Sequence, residues 1–364
     1  MSFFVKVQKR TANGLYVFRA GEFGACLLKD QTLAWKTKTF FQSKAVLHGV
    51  RRVWIGERNM FFLTQRGVFV LGLNIADRLF KNDGFTHEPV HVPWLDGAED
   101  IASSRHHLLW IRDGAVYAWG ENVRGCCGIS GRETDEGCPL DIPDPVSVLA
   151  LPENSLILSR TGEVYAIGCN ANGILGRREE SSVFQWSNRP ARIELPPIRQ
   201  IVGGGKRAVA LSQDGKVYAW GRNKDGEVLC SHPFVVCCPV VVFDEERVVD
   251  VAAGERHAVL LTASGRVYAW GEALNGKLGI SSSKRTLSSY DHAFPPVLVD
   301  IPDRVQKVFV SGEMSFAATE CGIWCWGRDL FERFAFLKDR EKQDALFVPF
   351  SYLEQSWQEE SRCL

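Results

Sequence analysis

One short phrase recurs along the chain and constrains its fold more than any other feature. Near-identical copies are VYAWGENVRGCCG from Val116, VYAIGCNANGILG from Val164, VYAWGRNKDGEVL from Val217 and VYAWGEALNGKLG from Val267. Weaker versions begin at Tyr16, Val68 and Ile323. Self-similarity at a regular spacing is the mark of a repeat architecture, so the chain is predicted to contain seven structural repeats.

The glycine after each aromatic strand marks the period of the repeat. The marker glycines are Gly21, Gly72, Gly120, Gly168, Gly221, Gly271 and Gly327, at intervals of 51, 48, 48, 53, 50 and 56 residues. Such an interval accommodates four short strands with their turns, which is the content of one propeller blade. It is too long for an ankyrin or tetratricopeptide unit, and the segments are typical of strands.

The best-preserved repeat, Val248 to Gly271, indicates how one unit is built. It reads as a strand, a glycine turn, a strand, a tight turn and a strand. Similar tight turns carry a glycine at Gly114, Gly162, Gly215 and Gly265. In the Val-Tyr-Ala-Trp strand both faces are apolar, so we expect it to be covered on both sides by neighbouring blades.

A proline-containing strand is predicted to lead each unit at the outer edge of its sheet, where a missing N–H breaks no ladder. The last of these strands is LFVPF, at Leu346 to Phe350. The strands predicted at Phe3 to Lys9 and Leu15 to Ala20 lack such a leader. The sequence therefore predicts an all-β, seven-bladed propeller, one domain over residues 1–364, closed by pairing N- and C-terminal strands in one blade.

These motifs resemble the repeat of the regulator-of-chromosome-condensation family, whose signature is G-x-x-H, V-Y-x-W-G and N-x-x-G-x-L-G. The resemblance implies a propeller that binds other molecules, because members act as exchange factors for small GTPases, chromatin adaptors, ubiquitin-ligase modules or photoreceptors. The turn histidine is assigned to His106 and His257. Other residues take its place at Asn59, Asn154, Arg207 and Ser315.

Three family features are missing from the sequence. No G-W-R-H-T motif of the photoreceptor is present, and the tryptophans of the repeat are interpreted as core residues. A strand is predicted almost at the first residue, so a basic tail for chromatin is not expected. The 48 residues between Gly120 and Gly168 leave no room for a hairpin that would wedge against a GTPase.

Charge and cysteine content exclude several classes of function. Lys plus Arg and Asp plus Glu each number 43, so the neutral chain has no overall attraction for phosphate backbones, and no direct DNA partner is expected. The longest apolar run, Phe234 to Phe243, is too short to span a bilayer, and no membrane partner is expected. The 11 cysteines show no C-x-x-C spacing, so neither a metal nor another cofactor is predicted.

The amino terminus reaches Lys6 before an apolar core forms, which argues against a signal peptide. An intracellular monomer in the cytoplasm or nucleus is expected. No catalytic motif appears, and the phosphate-loop-like GEALNGKL carries Leu278 where a hydroxyl should bind magnesium. We therefore expect no enzymatic activity.

Partner-binding residues are predicted in loops, because propeller strands are consumed by packing. Three loops exceed what a blade needs, at Ser130–Pro145, Arg177–Pro190 and Ser281–Pro295. Each has the alternative reading of an ordinary solvated loop. The residues selected as contacts for a protein partner of unknown identity are Phe184, Trp186, Lys284, Arg285 and Tyr290.

The leading hypothesis is a non-enzymatic protein-interaction propeller that serves as an adaptor or scaffold. The alternative is guanine nucleotide exchange on a small GTPase, which rests on the family resemblance. For that alternative the sequence offers Glu121, Asp225, Glu272 and His257 as residues that could compete at the phosphate site.

Overall fold

The computed structural model shows a chain built of antiparallel strands. It describes residues 15–19, 25–29, 32–36, 44–47, 49–57, 59–73, 84–131, 133–177, 186–224, 226–228, 234–280, 292–327 and 345–349. Every strand in these ranges belongs to a four-stranded sheet in which neighbours along the chain are neighbours in space. Six of these sheets, from Arg52 to Pro349, are blades, and we number them 1 to 6 in chain order.

An N-terminal sheet precedes the blades. It contains β1 (Leu15–Arg19), β2 (Ala25–Lys29), β3 (Thr32–Lys36) and β4 (Lys44–Leu47). Blade 1 contains β5 (Arg52–Ile55), β6 (Asn59–Thr64), β7 (Gly67–Leu73) and β8 (Phe85–His91). Blade 2 contains β9 (Asp100–Ser103), β10 (His107–Arg112), β11 (Ala115–Glu121) and β12 (Glu133–Leu140). Blade 3 contains β13 (Pro145–Leu151), β14 (Asn154–Ser159), β15 (Val164–Cys169) and β16 (Trp186–Arg192).

The remaining blades repeat the pattern. Blade 4 contains β17 (Ile198–Gly204), β18 (Arg207–Ser212), β19 (Val217–Arg222) and β20 (Val235–Phe243). Blade 5 contains β21 (Val248–Ala253), β22 (His257–Thr262), β23 (Val267–Glu272) and β24 (His292–Leu298). Blade 6 contains β25 (Lys307–Ser311), β26 (Met314–Ala318), β27 (Gly322–Gly327) and β28 (Leu346–Pro349). Short 3-10 turns at Pro93–Leu95, Val123–Gly125 and Leu274–Gly276 are the helical segments of the described residues.

The prediction of a seven-bladed propeller closed by a shared blade is wrong. The propeller has six blades. Blade 6 takes all its strands from residues 307–349, and the N-terminal sheet takes all of its own from residues 15–47. No sheet of the described residues therefore mixes N- and C-terminal strands, and the assignment of residues 1–364 to one domain remains a prediction.

The error in closure has one physical cause, which is the phase of the repeat. The proline-containing strand was expected to lead its blade, but in the structure it follows. Strand β8 pairs with β7 before it, and β28 pairs with β27. Its place at the outer edge of the sheet was correct. Because each blade ends with its own outer strand, blade 6 needs no N-terminal strand for completion.

The third strand of each blade is buried on both faces, as the sequence indicates. In blade 4, Val217, Ala219 and Trp220 are fully buried, and the alternating side chains point to opposite sides of the sheet. Trp220 packs among blade 3 residues such as Ile174 and Leu156. Apolar contact between neighbouring blades is thus the main stabilising interaction of the described fold.

The marker glycines are required by a close backbone approach. Gly221 has φ +111°, and a Cβ there would lie 2.6 Å from the carbonyl oxygen of Lys206. In blade 5 a Cβ on Gly271 would lie 2.4 Å from the carbonyl oxygen of Arg256. The turn between the first two strands therefore rests directly on the end of the third strand, which only glycine permits.

Candidate protein-binding face

Two kinds of connection meet at one end of the blades. The amide of Glu272 donates to the carbonyl of Arg256 at 2.9 Å, which ties the end of β23 to the turn between β21 and β22. Equivalent bonds connect Glu121 with His106 and Arg222 with Lys206. We call this end the turn face, formed by the first-to-second-strand turns and the connections after the third strands. The opposite end, with the tight turns at Gly114, Gly162, Gly215 and Gly265, is the hairpin face.

A buried polar layer lies beneath the turn face and connects neighbouring blades. The Nε2 atom of His257 in blade 5 lies 2.8 Å from the hydroxyl of Ser315 in blade 6. That hydroxyl is 3.3 Å from the carbonyl oxygen of Lys277, back in blade 5. All three residues are buried. The histidine, the serine and the carbonyl therefore form a relay across the blade junction.

The same relay occurs between blades 2 and 3, with a different histidine from the one predicted. His107 Nε2 lies 2.9 Å from Ser155 Oγ, which donates to the carbonyl of Cys126 at 2.6 Å. His107 pairs with the marker Gly120, as His257 pairs with Gly271. The repeat position is thus His107, one residue after His106. In blade 6 the histidine position was assigned to Ser315, but it is occupied by Met314, which pairs with the marker Gly327.

Blade 4 places a buried arginine at the histidine position. Arg207 donates through one terminal nitrogen to the carbonyl of Glu227 at 2.9 Å, in its own blade. Its other terminal nitrogen donates to the carbonyls of Gly254, at 3.2 Å, and of His257 in blade 5. Burial lowers the pKa of Arg207 to about 10, so this guanidinium remains charged at neutral pH.

The buried histidine of blade 5 stays neutral near physiological pH. Burial lowers the pKa of His257 well below its ordinary 6.5, and the positive charges of Arg207 and Lys277 lower it further. A neutral imidazole fits a layer that already contains two buried cations. His257 is therefore held as a structural hydrogen-bonding group.

Arginine–glutamate pairs line the turn face, and in them the carboxylate lies deeper than the guanidinium. Glu57 of blade 1 has 2% of its side chain exposed, whereas its partner Arg105 of blade 2 has 47% exposed, with a 3.0 Å contact. In blade 5, Glu272 has 5% exposed and Arg256 has 46%, at 2.8 Å. The outermost groups of these pairs are therefore guanidinium tips.

Lys277 extends this network across the junction of blades 5 and 6. Its buried ammonium contacts Glu272 of its own blade and, at 2.9 Å, Glu313 of blade 6. Burial raises the pKa of Glu272, but hydrogen bonds from Lys277 and Arg256 outweigh it and leave the pKa below the ordinary 4.5. The lysine of the phosphate-loop-like phrase is thus bound to carboxylates.

Large apolar side chains stand exposed at the same end of the molecule. Trp186 is 56% exposed and Phe234 is 72% exposed, at the start of the outer strands of blades 3 and 4. Leu274, 43% exposed, follows the third strand of blade 5. The ring of Trp186 also lies beside blade 2, because its Cε3 atom is 2.8 Å from where a Cβ on Gly125 would stand.

Of the predicted partner contacts, Trp186 lies on this face. The other four lie outside the described residues, and they are Phe184, Lys284, Arg285 and Tyr290. All three predicted loops are wrong in part, because each runs into the outer strand of its blade: Glu133–Leu140, Trp186–Arg192 and His292–Leu298. The polar and turn-forming residues of Glu133–Leu140 concealed a strand that pairs with Val116 and Tyr117.

The exchange-factor residues are not brought together as a free acidic group. Glu121 is 44% exposed and contacts His106 at 2.6 Å. Glu272 and His257 are buried in the networks above. Asp225 lies outside the described residues.

Several residues of the turn face escaped the sequence analysis, above all Glu57, Arg105 and Arg124. Arg124 lies 3.4 Å from Glu153, which joins blades 2 and 3. A signal of a cationic turn did exist, since a basic residue precedes the histidine position in three repeats, at His106, Lys206 and Arg256.

The described ranges contain no cluster of three or more His, Cys, Asp or Glu side chains that could bind a metal. Their helical segments are all short turns, and none could cross a membrane.

Comparisons with known proteins agree on one family. Two models of the regulator of chromosome condensation (RCC1) repeat match, one over residues 113–154, 161–211, 214–261 and 264–318, the other over 198–227 and 248–277. The chain is 30% identical over 272 residues to the ultraviolet-B receptor UVR8 of Arabidopsis thaliana, which covers 69% of this chain and 59% of the receptor. It is 30% identical over 239 residues to the human E3 ubiquitin-protein ligase HERC2, which covers 59% of this chain and 4% of the ligase.

Solved structures show the same fold. Human WBSCR16 superposes with a TM-score of 0.67 at 19% identity, covering 80% of this chain and 79% of that one. Yeast RCC1 (Prp20), solved bound to Kap60, superposes with a TM-score of 0.66 at 20% identity, covering 82% and 74%. The chain spans less than two thirds of the length of the curated relatives above. Because the family models match more than half of its residues, the chain belongs to the family of regulator of chromosome condensation (RCC1) repeat proteins.

Proposed function

We propose that the protein is a non-enzymatic interaction propeller, an adaptor or scaffold that binds a protein partner on its turn face. The observation that carries this proposal is the exposure of Trp186 and Phe234 at the same end of the blades as half-exposed arginines. Tryptophan and arginine dominate the binding energy of protein interfaces, and soluble monomers rarely expose large contiguous apolar patches.

The charged pairs support the proposal because they hold their cations in place. Arg105 and Arg256 are each fixed by a buried carboxylate, so little side-chain freedom remains to be lost when a partner binds. The six blades beneath supply a rigid base through apolar contacts. A preorganised, partly charged face with aromatic anchors is typical of a surface that binds another protein.

The test begins with a photo-crosslinking residue at Lys224 on the turn face and, as its matched control, at Lys216 on the hairpin face. A partner that crosslinks at Lys224 is then purified and its affinity measured. Trp186→Ala should weaken that affinity by about 2 kcal/mol, as expected of an interface anchor. Crosslinking that is stronger at Lys216, or an affinity indifferent to Trp186→Ala, would refute the choice of face.

Guanine nucleotide exchange on a small GTPase remains the alternative, supported by membership of the family. A yeast relative, Prp20p, was solved in work that describes its binding to Gsp1p and histones, but at 20% identity the likeness shows the fold. Exchange requires tighter binding to the nucleotide-free GTPase than to the loaded one. The burial of Glu272 and His257 weighs against their contact with a GTPase.

A release assay with fluorescent nucleotide on a panel of small GTPases tests the alternative. Acceleration by the wild-type chain that Glu121→Gln abolishes would favour exchange over simple scaffolding. If micromolar protein does not accelerate nucleotide release from any of the GTPases, the exchange alternative is refuted.

A further inference from the structure

The turn face is not chemically uniform around the propeller, and blades 3 to 5 differ from the rest of the described face. Five large apolar side chains are exposed among those whose burial the structure describes: Trp186, Phe234, Val241, Leu274 and Leu298. Three of them, Trp186, Phe234 and Leu274, lie at the turn face, one in each of blades 3, 4 and 5. We call these three residues the apolar rim.

Backbone pairing fixes all three at the same end. Trp186 pairs with Cys169 at the end of β15, and the carbonyl of Phe234 accepts from Asn223, just after β19. Leu274 follows Glu272, the last residue of β23. The inner strands of these three blades are neighbours in the order β13, β17 and β21. The apolar rim therefore follows an arc over three consecutive blades.

Among the described residues of blades 4 and 5, the exposed charged side chains at this face are cations. Lys206 and Lys224 of blade 4 are exposed, and Arg256 of blade 5 has 46% of its side chain exposed. On the blade 2 side, Arg124 has 45% exposed and reaches the sulfur of Cys169, the residue that pairs with Trp186.

The carboxylates that the structure describes at this face in blades 4 and 5 are withdrawn from solvent. Glu227 and Glu272 are buried, and Glu255 is half-buried. A partner approaching blades 4 and 5 therefore meets ammonium and guanidinium groups before it meets carboxylates. Because exposed charges act over about a Debye length, the nearest cations determine which partner is attracted first.

We propose that the apolar rim and its cations bind an acidic protein segment that carries apolar side chains between its carboxylates. Such a segment places its apolar groups against Trp186 and Phe234 and its carboxylates near Lys206, Lys224 and Arg256. Apolar burial provides affinity, and charge complementarity provides rate and selectivity. This inference rests on the proposed function, since it names the chemistry of the partner at the same face.

The experiment measures binding of the full chain to four fluorescent peptides of equal length. The first alternates Glu with Leu and Phe, and the second replaces Leu and Phe by Ser. The third replaces Glu by Gln, and the fourth replaces Glu by Lys. Fluorescence anisotropy at low ionic strength and at about 0.15 M salt gives each dissociation constant.

The first peptide should bind at least about tenfold more tightly than each of the others, and higher salt should weaken it. The double variant Trp186→Ala with Phe234→Ala should weaken it by about tenfold at both salt concentrations. The double variant Lys206→Glu with Lys224→Glu should weaken it by about tenfold mainly at low salt. All the altered side chains are exposed, so circular dichroism should report an intact fold for each variant.

Matched controls lie on the hairpin face. Val241→Ala with Leu298→Ala removes the two exposed apolar residues outside the apolar rim, and Lys216→Glu reverses an exposed charge there. These variants should bind the first peptide as the wild type does. A preference for the neutral or basic peptide, equal loss in the controls, or no binding of the first peptide would each overturn the inference. A purified partner that depends on Trp186 but binds through a neutral or basic segment would refute the acidic chemistry and leave the proposed function standing.

Discussion

The junction between blades 4 and 5 and the junction between blades 5 and 6 meet the same requirement with different side chains. At the second junction, His257 contacts Ser315, whose hydroxyl donates to the carbonyl of Lys277. At the first junction, Ala258 stands at the position equivalent to Ser315, so no hydroxyl is available. Arg207 then reaches the carbonyl of Glu227 directly.

This difference shows what the buried layer demands. A carbonyl in the connection after the third strand needs a donor, because an unpaired buried polar group costs about 1 to 3 kcal/mol. At the junction of blades 5 and 6, a histidine and a serine together reach this carbonyl. At the junction of blades 4 and 5, the longer guanidinium of Arg207 reaches it alone and also contacts the carbonyls of Gly254 and His257. At the junction of blades 4 and 5, Arg207 and Ala258 together therefore take the place that His257 and Ser315 have at the junction of blades 5 and 6.

The largest effect should be common to both junctions, because both depend on a marker glycine. Gly221→Val and Gly271→Val each place a Cβ about 2.5 Å from a carbonyl oxygen and force a β-branched residue to positive φ. Each should lower the free energy of unfolding by about 4 kcal/mol in urea denaturation. A loss below about 1 kcal/mol at either position would show that the turn can move away from the third strand.

Removal of the guanidinium should have the next largest effect and should separate the two junctions. Arg207→Met keeps the length of the side chain but deprives the carbonyls of Glu227, Gly254 and His257 of a donor. We expect a loss of about 3 kcal/mol in the free energy of unfolding. Arg207→Lys serves as the control. Its free energy of unfolding should lie between those of the wild type and Arg207→Met, because lysine supplies donors without the planar fork of the guanidinium. An unchanged midpoint for Arg207→Met would mean that water satisfies these carbonyls equally well.

The sequence predicted the repeats better than their boundaries, and the reason is physical. Gly221 and Gly271 recur because a backbone contact excludes any side chain, so the period of the repeat could be recognised from sequence. The outer strand makes only one ladder and tolerates Pro190 or Pro239, so its residues carry no sign of which blade they join. That missing information led to the wrong closure, whereas the wrong blade count came from counting the weak phrase at Tyr16, which lies in the first strand of the N-terminal sheet.

The candidate site was less predictable still. Trp186 could be selected because a tryptophan among polar residues stands out in sequence; it is exposed, and its role as a partner contact stays a prediction. Arg105 and Glu57 lie 48 positions apart, and their contact depends on the junction between blades 1 and 2. Contacts of this kind follow from the packing of blades, which one sequence without its fold cannot supply.

A smaller effect tests whether arginine and alanine act as one unit. Arg207→His alone should cost about 2 kcal/mol, because imidazole cannot reach the carbonyl of Glu227 across Ala258. Adding Ala258→Ser should restore about 1 kcal/mol by recreating the relay of the next junction. The double-mutant cycle should therefore give a favourable coupling energy of about 1 kcal/mol. Additive losses would show that the two positions are independent.

The smallest effect is a difference in pH dependence between the junctions. Burial, with the charges of Arg207 and Lys277, lowers the pKa of His257 well below 6.5, so the unfolded chain binds a proton more readily than the folded chain. The stability linked to this histidine is complete above about pH 6.5 and falls as the pH decreases, by at most about 1.4 kcal/mol per pH unit. His257→Gln preserves a donor toward Ser315 and removes the titrating group, so its free energy of unfolding should fall less steeply between about pH 6.5 and 5. Asn154→Gln, at the equivalent position of blade 3, changes the packing without adding or removing a proton site and should keep the wild-type slope. Equal slopes for the wild type and His257→Gln would mean that His257 takes up a proton inside the folded layer, and the neutral relay across this junction would then have to be abandoned.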